Sequence, residues 1–186
     1  MAYIFDPEVL SEIVKANIGG PLEESFDGIT TDLAARYPKH IATGERKWMF
    51  NNAGGAMGQI CLLHASLSEY ILLFGTPIGT EGHSGRYRTD VHDFMIAGEM
   101  WCYVEGETER SVYKPGDWAF LGGNKAKGYV AKDAAWMLEY SRGPIPSMLP
   151  FGLADTMLST LDYRTFGRTM AAYGKMVVRE LARGKI

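Results

Sequence analysis

From about residue 47 to residue 142 the chain sustains no helical period. Short runs rich in Val, Ile, Leu, Tyr and Trp alternate with Gly, Pro, Asn and Asp, as in QICLLHAS, SEYILLFGT, VHDFMIAGEMWCYVEG, SVYKPGDWAFLGG and AWMLEYSRG. Strand-length runs with turn signals every 8 to 12 residues or so predict a sandwich or a barrel. One turn is specific. Lys114-Pro115-Gly116-Asp117 places Pro and Gly at the two central positions, as a type II turn requires.

Helices are predicted on both sides of this region. Asp6-Pro7-Glu8 supplies an N-cap, a proline at the first helical position and an acid in the first turn. Leu10, Ile13 and Val14 form its apolar stripe, and Gly19-Gly20 ends it. A second helix starts at Pro21, carries Leu22, Phe26, Ile29 and Leu33, and stops before Pro38. After Pro146 the pattern turns helical again. At about 100° per residue, Phe166, Met170, Tyr173, Val177 and Leu181 fall within roughly 80° of arc. Arg164, Arg168, Lys175, Arg179 and Arg183 lie opposite. Residues 162–186 hold six basic and two acidic side chains, a net +4, so the preceding 161 residues carry −7 of the total −3. A basic amphipathic helix is either a solvated face packed on the body or a helix lying on a membrane surface.

At 186 residues the chain is read as a single domain, 1–186, with helices over 1–38, a strand-rich body over 47–142 and helices over 147–183. Near-neutral charge and the lack of a basic run interleaved with aromatics exclude a nucleic-acid partner. Cys61 and Cys102 are expected as reduced core thiols. No signal peptide and no spanning helix is expected. A metal centre is not expected in the body either. His83 and His92 are nine apart, and no His-x-His pair occurs. GHSGRY (82–87) lacks the Gly-x-Ser-x-Gly spacing and reads as a turn, and no phosphate-binding glycine motif is present.

The remaining chemistry lies in carboxylates inside apolar strands. Glu139 interrupts WMLEYSRG and shares a face with Met137 and Ser141; Asp93 in VHDFMIAG shares one with Val91, Met95 and Ala97. Each alone reads equally as an edge-strand acid or half of a structural ion pair. Two in one small body point to a common cavity, where they would share a proton and one pKa would rise. Such a pair offers an acid, a base and a field that stabilises a cation. Glu69 opens its strand beside Tyr70, where a carboxylate can stay in solvent.

The stretches NAGGAMGQICLLHASLSEYILLFGT, GHSGRY and EYSRGPIPSMLPFGLADT, with the tail, resemble the family of the sigma-1 receptor and the fungal sterol Δ8–Δ7 isomerase. The likeness runs collinearly over about 47–183. It implies an α+β fold: a cupin-like β-barrel flanked by N-terminal helices and two C-terminal amphipathic helices that face a membrane. It also implies a homotrimer and no cofactor. Glu139 corresponds to the family's ligand-binding glutamate, Asp93 to its acidic partner and Tyr70 to the tyrosine that contacts the pair. Phe74 corresponds to an aromatic wall, and Leu62, Leu72, Val91, Ile145, Met148, Leu149, Phe151 and Tyr173 to further lining positions. The chain departs from receptor members at Ala56 and Ala131, where they carry tryptophan, and at Leu121, where they carry histidine. Asn51 replaces a valine, and Met148 a threonine. The smaller side chains imply a roomier pocket. No counterpart of the eukaryotic spanning helix is seen, so a peripheral position on the cytoplasmic side of a membrane is expected, through the tail.

Two functions follow from the resemblance. One is isomerisation of a ring double bond in a polycyclic lipid, with Glu139 and Asp93 as acid and base. The other is capture of a hydrophobic amine without turnover.

Overall fold

A computed structural model describes residues 3–186. Two helices, α1 (Pro7–Ala16) and α2 (Leu22–Arg36), precede eight strands: β1 (Met49–Ala53), β2 (Ala56–Ala65), β3 (Glu69–Thr76), β4 (Thr80–His83), β5 (Asp90–Val104), β6 (Ser111–Tyr113), β7 (Trp118–Leu121) and β8 (Lys127–Arg142). A 3₁₀ turn (Ile145–Met148) leads into α3 (Leu149–Leu158) and α4 (Tyr163–Leu181). The α+β class holds.

Local chemistry accounts for the ends. Asp6 caps α1 by accepting from the Glu8 N–H at 2.9 Å, with Pro7 at the first helical position. Asp162 caps α4 by accepting from the Thr165 N–H at 3.0 Å. At the expected type II turn, Gly116 takes φ +88° and the Asp117 N–H bonds the Lys114 carbonyl at 2.8 Å.

All strands pair antiparallel, in the order β1-β2-β3-β8-β5-β6, with β4 added on β8 and β7 on β5. The barrel drawn from the resemblance is therefore an open one. The sheet bends over itself instead of closing. Both long strands, β5 and β8, take part in the bend. Their register shifts between Met95 and Ala97 and again between Gly98 and Glu99. Gly98 has φ +77°, and a Cβ there would lie 1.9 Å from the Ala134 carbonyl oxygen, so only glycine fits. Beyond the bend, Glu99–Val104 of β5 and Lys127–Lys132 of β8 form the shorter arm of the same sheet, with β4 and β6.

Strict alternation then divides the side chains. Ile71, Leu73, Trp136, Leu138 and Tyr140 pack on one face against Phe5, Leu10, Val14, Phe26, Ile29 and Leu33 of the N-terminal region. Leu72, Phe74, Met137 and Glu139 point to the other face, into the fold of the sheet. The first set is a dry core. Truncating Leu33 or Leu138, both fully buried, belongs to the class of changes that cost about 2–5 kcal/mol.

The C-terminal helices cover the open side. The Asp155 carboxylate accepts from the Gly55 N–H at 3.0 Å, tying α3 to the β1–β2 turn. The orientation of α4 differs from the simple apolar-in, basic-out split. Thr165, Val177 and Glu180 are its buried residues, whereas Val178 and Leu181 are exposed. Arg168 and Arg179 donate to the backbone carbonyls of Trp48 (3.3 Å) and His40 (3.2 Å), and Arg183 donates to that of Lys39. Three of the five residues on the basic face are thus held by the body. A helix fixes which residues share a face; on this one the body's backbone carbonyls hold the basic side as well.

Glu69 also differs from expectation, being fully buried. It accepts from the backbone N–H of Ile4 (2.7 Å) and of Phe5 (3.5 Å) and from the Tyr140 hydroxyl (2.9 Å), and it pairs with Lys185 at 2.7 Å. A strand-start carboxylate became the anchor of both chain ends.

Candidate functional site

Inside the bent sheet lies a cavity holding about 1220 Å³ of empty space, counting the part open to solvent. Strands supply most of its lining, with Ser84 and Tyr87 from the connection between β4 and β5. The turn and helices over 145–153, with Thr169, Met170 and Tyr173 of α4, supply the rest. The twelve residues named from the sequence all line it: Glu139, Asp93, Tyr70, Phe74, Leu62, Leu72, Val91, Ile145, Met148, Leu149, Phe151 and Tyr173.

Strand register brings the polar groups together. Asp93 stands directly opposite Glu139 across the β5–β8 ladder, so both point to the same side. Leu72 opposes Glu139 across β3–β8, which leaves Tyr70 on the diagonal. The Tyr70 hydroxyl donates to Glu139 Oε1 at 2.5 Å. Glu139 keeps some accessible surface because it faces the cavity, yet protein lies around it in every direction. Burial pushes its carboxyl up from the usual 4.5 to about 7, and the neighbouring Asp93 charge adds to this. The Tyr70 bond and the Lys127 charge act the other way. Burial and the Glu139 carboxylate push the Tyr70 phenol well above its usual value, so it remains a donor.

The pair is not two acids alone. Lys127, at the start of β8, is buried and donates from Nζ to Asp93 Oδ2 at 2.5 Å. Burial acts to lower this ammonium, and Asp93 beside it more than offsets the effect, so Lys127 stays charged. The other Asp93 oxygen, Oδ1, is buried without a hydrogen-bond partner among the described residues. Asp93 is therefore held in an ion pair, whereas the Glu139 carboxyl, raised to about 7, accepts from the Tyr70 hydroxyl.

Lys127 lay outside the strand read from the sequence, AWMLEYSRG, because Lys132 and Asp133, the latter at φ +58°, interrupt the apolar run that leads to Glu139. Before the break, Lys127 and Tyr129 are spaced two apart, and both face the cavity. Tyr87, Tyr129 and His83 were likewise missed. The argument for a roomier pocket narrows. Leu121 and Asn51 line the cavity, but Ala56 and Ala131 are buried outside it.

The buried ion pair makes a prediction. Lys127→Met should destabilise the protein by about 3–5 kcal/mol, since Asp93 is left charged and unpaired. The double variant Lys127→Met/Asp93→Asn should recover most of that loss. Denaturant melts of the three proteins test it; equal costs for the single and double variants would show that the pair does not carry the coupling.

The sequence model of the family described as ERG2 and Sigma1 receptor like protein matches residues 1–185. The chain belongs to this family. It is 44% identical to the sigma non-opioid intracellular receptor 1 of Danio rerio, over 96% of this chain and 81% of that protein. It is 42% identical to the protein erg2 homolog of Dictyostelium discoideum, over 95% of this chain and 75% of the relative. Similar solved structures include an RmlC-like cupin from Shewanella frigidimarina (TM-score 0.47, 20% identity, 57% of this chain and 91% of that one). Another is an RmlC-like cupin family protein with a double-stranded β-helix fold from Methanocaldococcus jannaschii (TM-score 0.41, 20% identity, 58% and 98%).

Proposed function

We propose that this member of the family binds a polycyclic lipid in the cavity and moves a ring double bond, as a sterol Δ8–Δ7 isomerase does. The observation that carries the reading is Glu139: a carboxyl with a pKa of about 7 in an otherwise largely apolar cavity. Near neutral pH it is part acid and part base. As acid it gives its proton to ring carbon 9 of the Δ8 double bond. A tertiary cation forms at carbon 8. A proton then leaves carbon 7 to a carboxylate, either the ionised Glu139 or the unpartnered Asp93 Oδ1, and the electron pair of that C–H bond becomes the Δ7 double bond. Apolar walls exclude water that would trap the cation. No cofactor enters the chemistry.

Turnover of a Δ8 sterol by the purified protein in detergent, run in D₂O, tests this. The Δ7 product should carry one added deuteron, because the Glu139 proton exchanges with solvent. A sterol recovered unchanged would sink the enzymatic reading.

A second reading, capture of a hydrophobic amine without turnover, is favoured by Lys127. An ammonium paired to Asp93 weakens the anionic surround that a carbocation requires, while Glu139 ionised can still hold an amine cation. Relatives named as receptors support it as well.

The protein is further proposed to lie on a membrane surface through its C-terminal helices. No helix among the described residues is long and apolar enough to cross one. Leu158, Leu161, Tyr163, Val178 and Leu181 are exposed apolar side chains on α3, α4 and their junction. Such a surface suits the boundary between headgroups and acyl chains. The full chain should float with anionic liposomes, and Leu158→Asp/Val178→Asp should lower the bound fraction by about tenfold or more at unchanged Tm. A wild-type chain that stays in the bottom fraction counts against membrane contact. The homotrimer implied by the family draws support from exposed Phe50, Met57 and Phe120 on the strands; a monomer mass by light scattering would dismiss it.

A further inference from the structure

Away from the cavity, the turn after α2, strand β2 and the end of α4 meet at three ligand-type side chains. His40, His64 and Glu180 each offer one atom, and the three atoms lie within 4.8 Å of one another. None of the three lines the cavity. His64 and Glu180 are fully buried, and His40 reaches solvent with 27% of its side chain.

The hydrogen bonds around them are arranged as around a metal. The Nδ1–H of His64 donates to the His40 carbonyl oxygen at 2.9 Å. That bond fixes the tautomer and leaves a lone pair on Nε2, which is buried and has no hydrogen-bond partner among the described residues. A histidine whose far nitrogen is anchored to a carbonyl while its near nitrogen stays free is the usual posture of a metal ligand. Glu180 is prepared in the same way. Its Oε1 is held by Arg183 (3.0 Å) and Arg179 (3.4 Å), and its Oε2 faces His40 Nδ1 at 2.6 Å. The arginines thus occupy one oxygen and orient the other, and only a proton stands between that oxygen and His40.

We propose that His40, His64 and Glu180 form a binding site for a zinc-class divalent cation that staples the end of α4 to the sheet. Two imidazoles and one carboxylate suit zinc, which takes nitrogen and oxygen ligands at about 2.0–2.2 Å and tolerates a water in the fourth position. They do not suit magnesium, which prefers oxygen ligands throughout. The ion displaces the proton between His40 and Glu180, and it satisfies His64 Nε2. The exposed edge of His40 is the entry path, and a small rotation of that ring closes the triangle. Because α4 carries Met170 and Tyr173 into the cavity wall, the staple sets the position of that wall.

The test uses the full chain without a polyhistidine tag, stripped with chelator and dialysed against Zn²⁺ alone. One equivalent of zinc per chain is expected, with a Tm that rises with zinc concentration. Co²⁺ in its place should give visible absorption of a four-coordinate site with nitrogen ligands, and Mg²⁺ should neither bind nor shift Tm. His40→Asn, at a partly exposed position in a turn, should fold and weaken zinc binding at least about tenfold. His64→Gln should do the same, and where it fails to fold, His40→Asn decides. Zinc content well below one equivalent, or wild-type binding by His40→Asn, overturns the proposal.

Discussion

Glu139→Gln is expected to lower isomerase turnover by about 10²–10⁴-fold, the range a positioned general acid contributes, and to leave the fold intact. Glutamine keeps an oxygen for the Tyr70 hydroxyl and occupies the same space, so packing is preserved. Only the titrating proton is lost. Affinity for a hydrophobic amine should fall as well, by about 1.5–3 kcal/mol, the worth of a hydrogen bond to a charged group. The two activities should also separate by pH. Isomerisation needs the acid form first, so its rate should fall as pH rises through about 7. Amine capture needs the carboxylate, so it should strengthen over the same interval while the amine remains protonated. Stability follows the same titration with a fixed sign. The folded-state pKa stands above the unfolded 4.5, so the wild type should lose stability relative to Glu139→Gln as pH rises from about 4.5 to 7, and the difference should then level off. Parallel pH-rate profiles, calorimetric titrations and melts measure all three. Equal turnover and equal amine affinity in both proteins would remove Glu139 from the mechanism.

Glu69→Ala is expected to be the most damaging change outside the cavity, at about 3–5 kcal/mol and a Tm lower by on the order of 10 °C. The carboxylate has no exposure and serves four groups at once: the N–H groups of Ile4 and Phe5, the Tyr140 hydroxyl and the Lys185 ammonium. Removing it leaves buried donors without acceptors, and it releases the segment before α1 and the end of the chain together. Glu69→Gln should cost less, because it still accepts from the backbone. Thermal melts with limited proteolysis of both ends measure this. A Glu69→Ala protein that melts with the wild type would show that the anchor is dispensable.

Much of this molecule is local. The Asp6-Pro7 start of α1, the type II turn at 114–117 and the alternating strands are set by backbone chemistry within a few residues, and the sequence determined them. Alternation also decided that Glu139 would share a face with Met137 and stand opposite the face of Tyr140. The cavity residues were legible in another way, through likeness to a family, because their chemistry depends on company that no short window contains. Tertiary structure alone decided that company. Lys127 meets Asp93 from 34 residues away, after a bend that shifts the register of β8. His40 meets Glu180 across 140 residues; Glu180 lies beside Tyr173 at the edge of the apolar stripe, and it is buried there with that histidine and with Arg179 and Arg183 of its own segment as partners. The same holds for Glu69 and for a sheet that bends but does not close. Periodicity states which side chains share a face. Which face is buried, and which charge meets which, is settled by long-range pairing, as at Asp93 and Glu69, or, at Glu139, by burial that raises the carboxyl toward its neutral form.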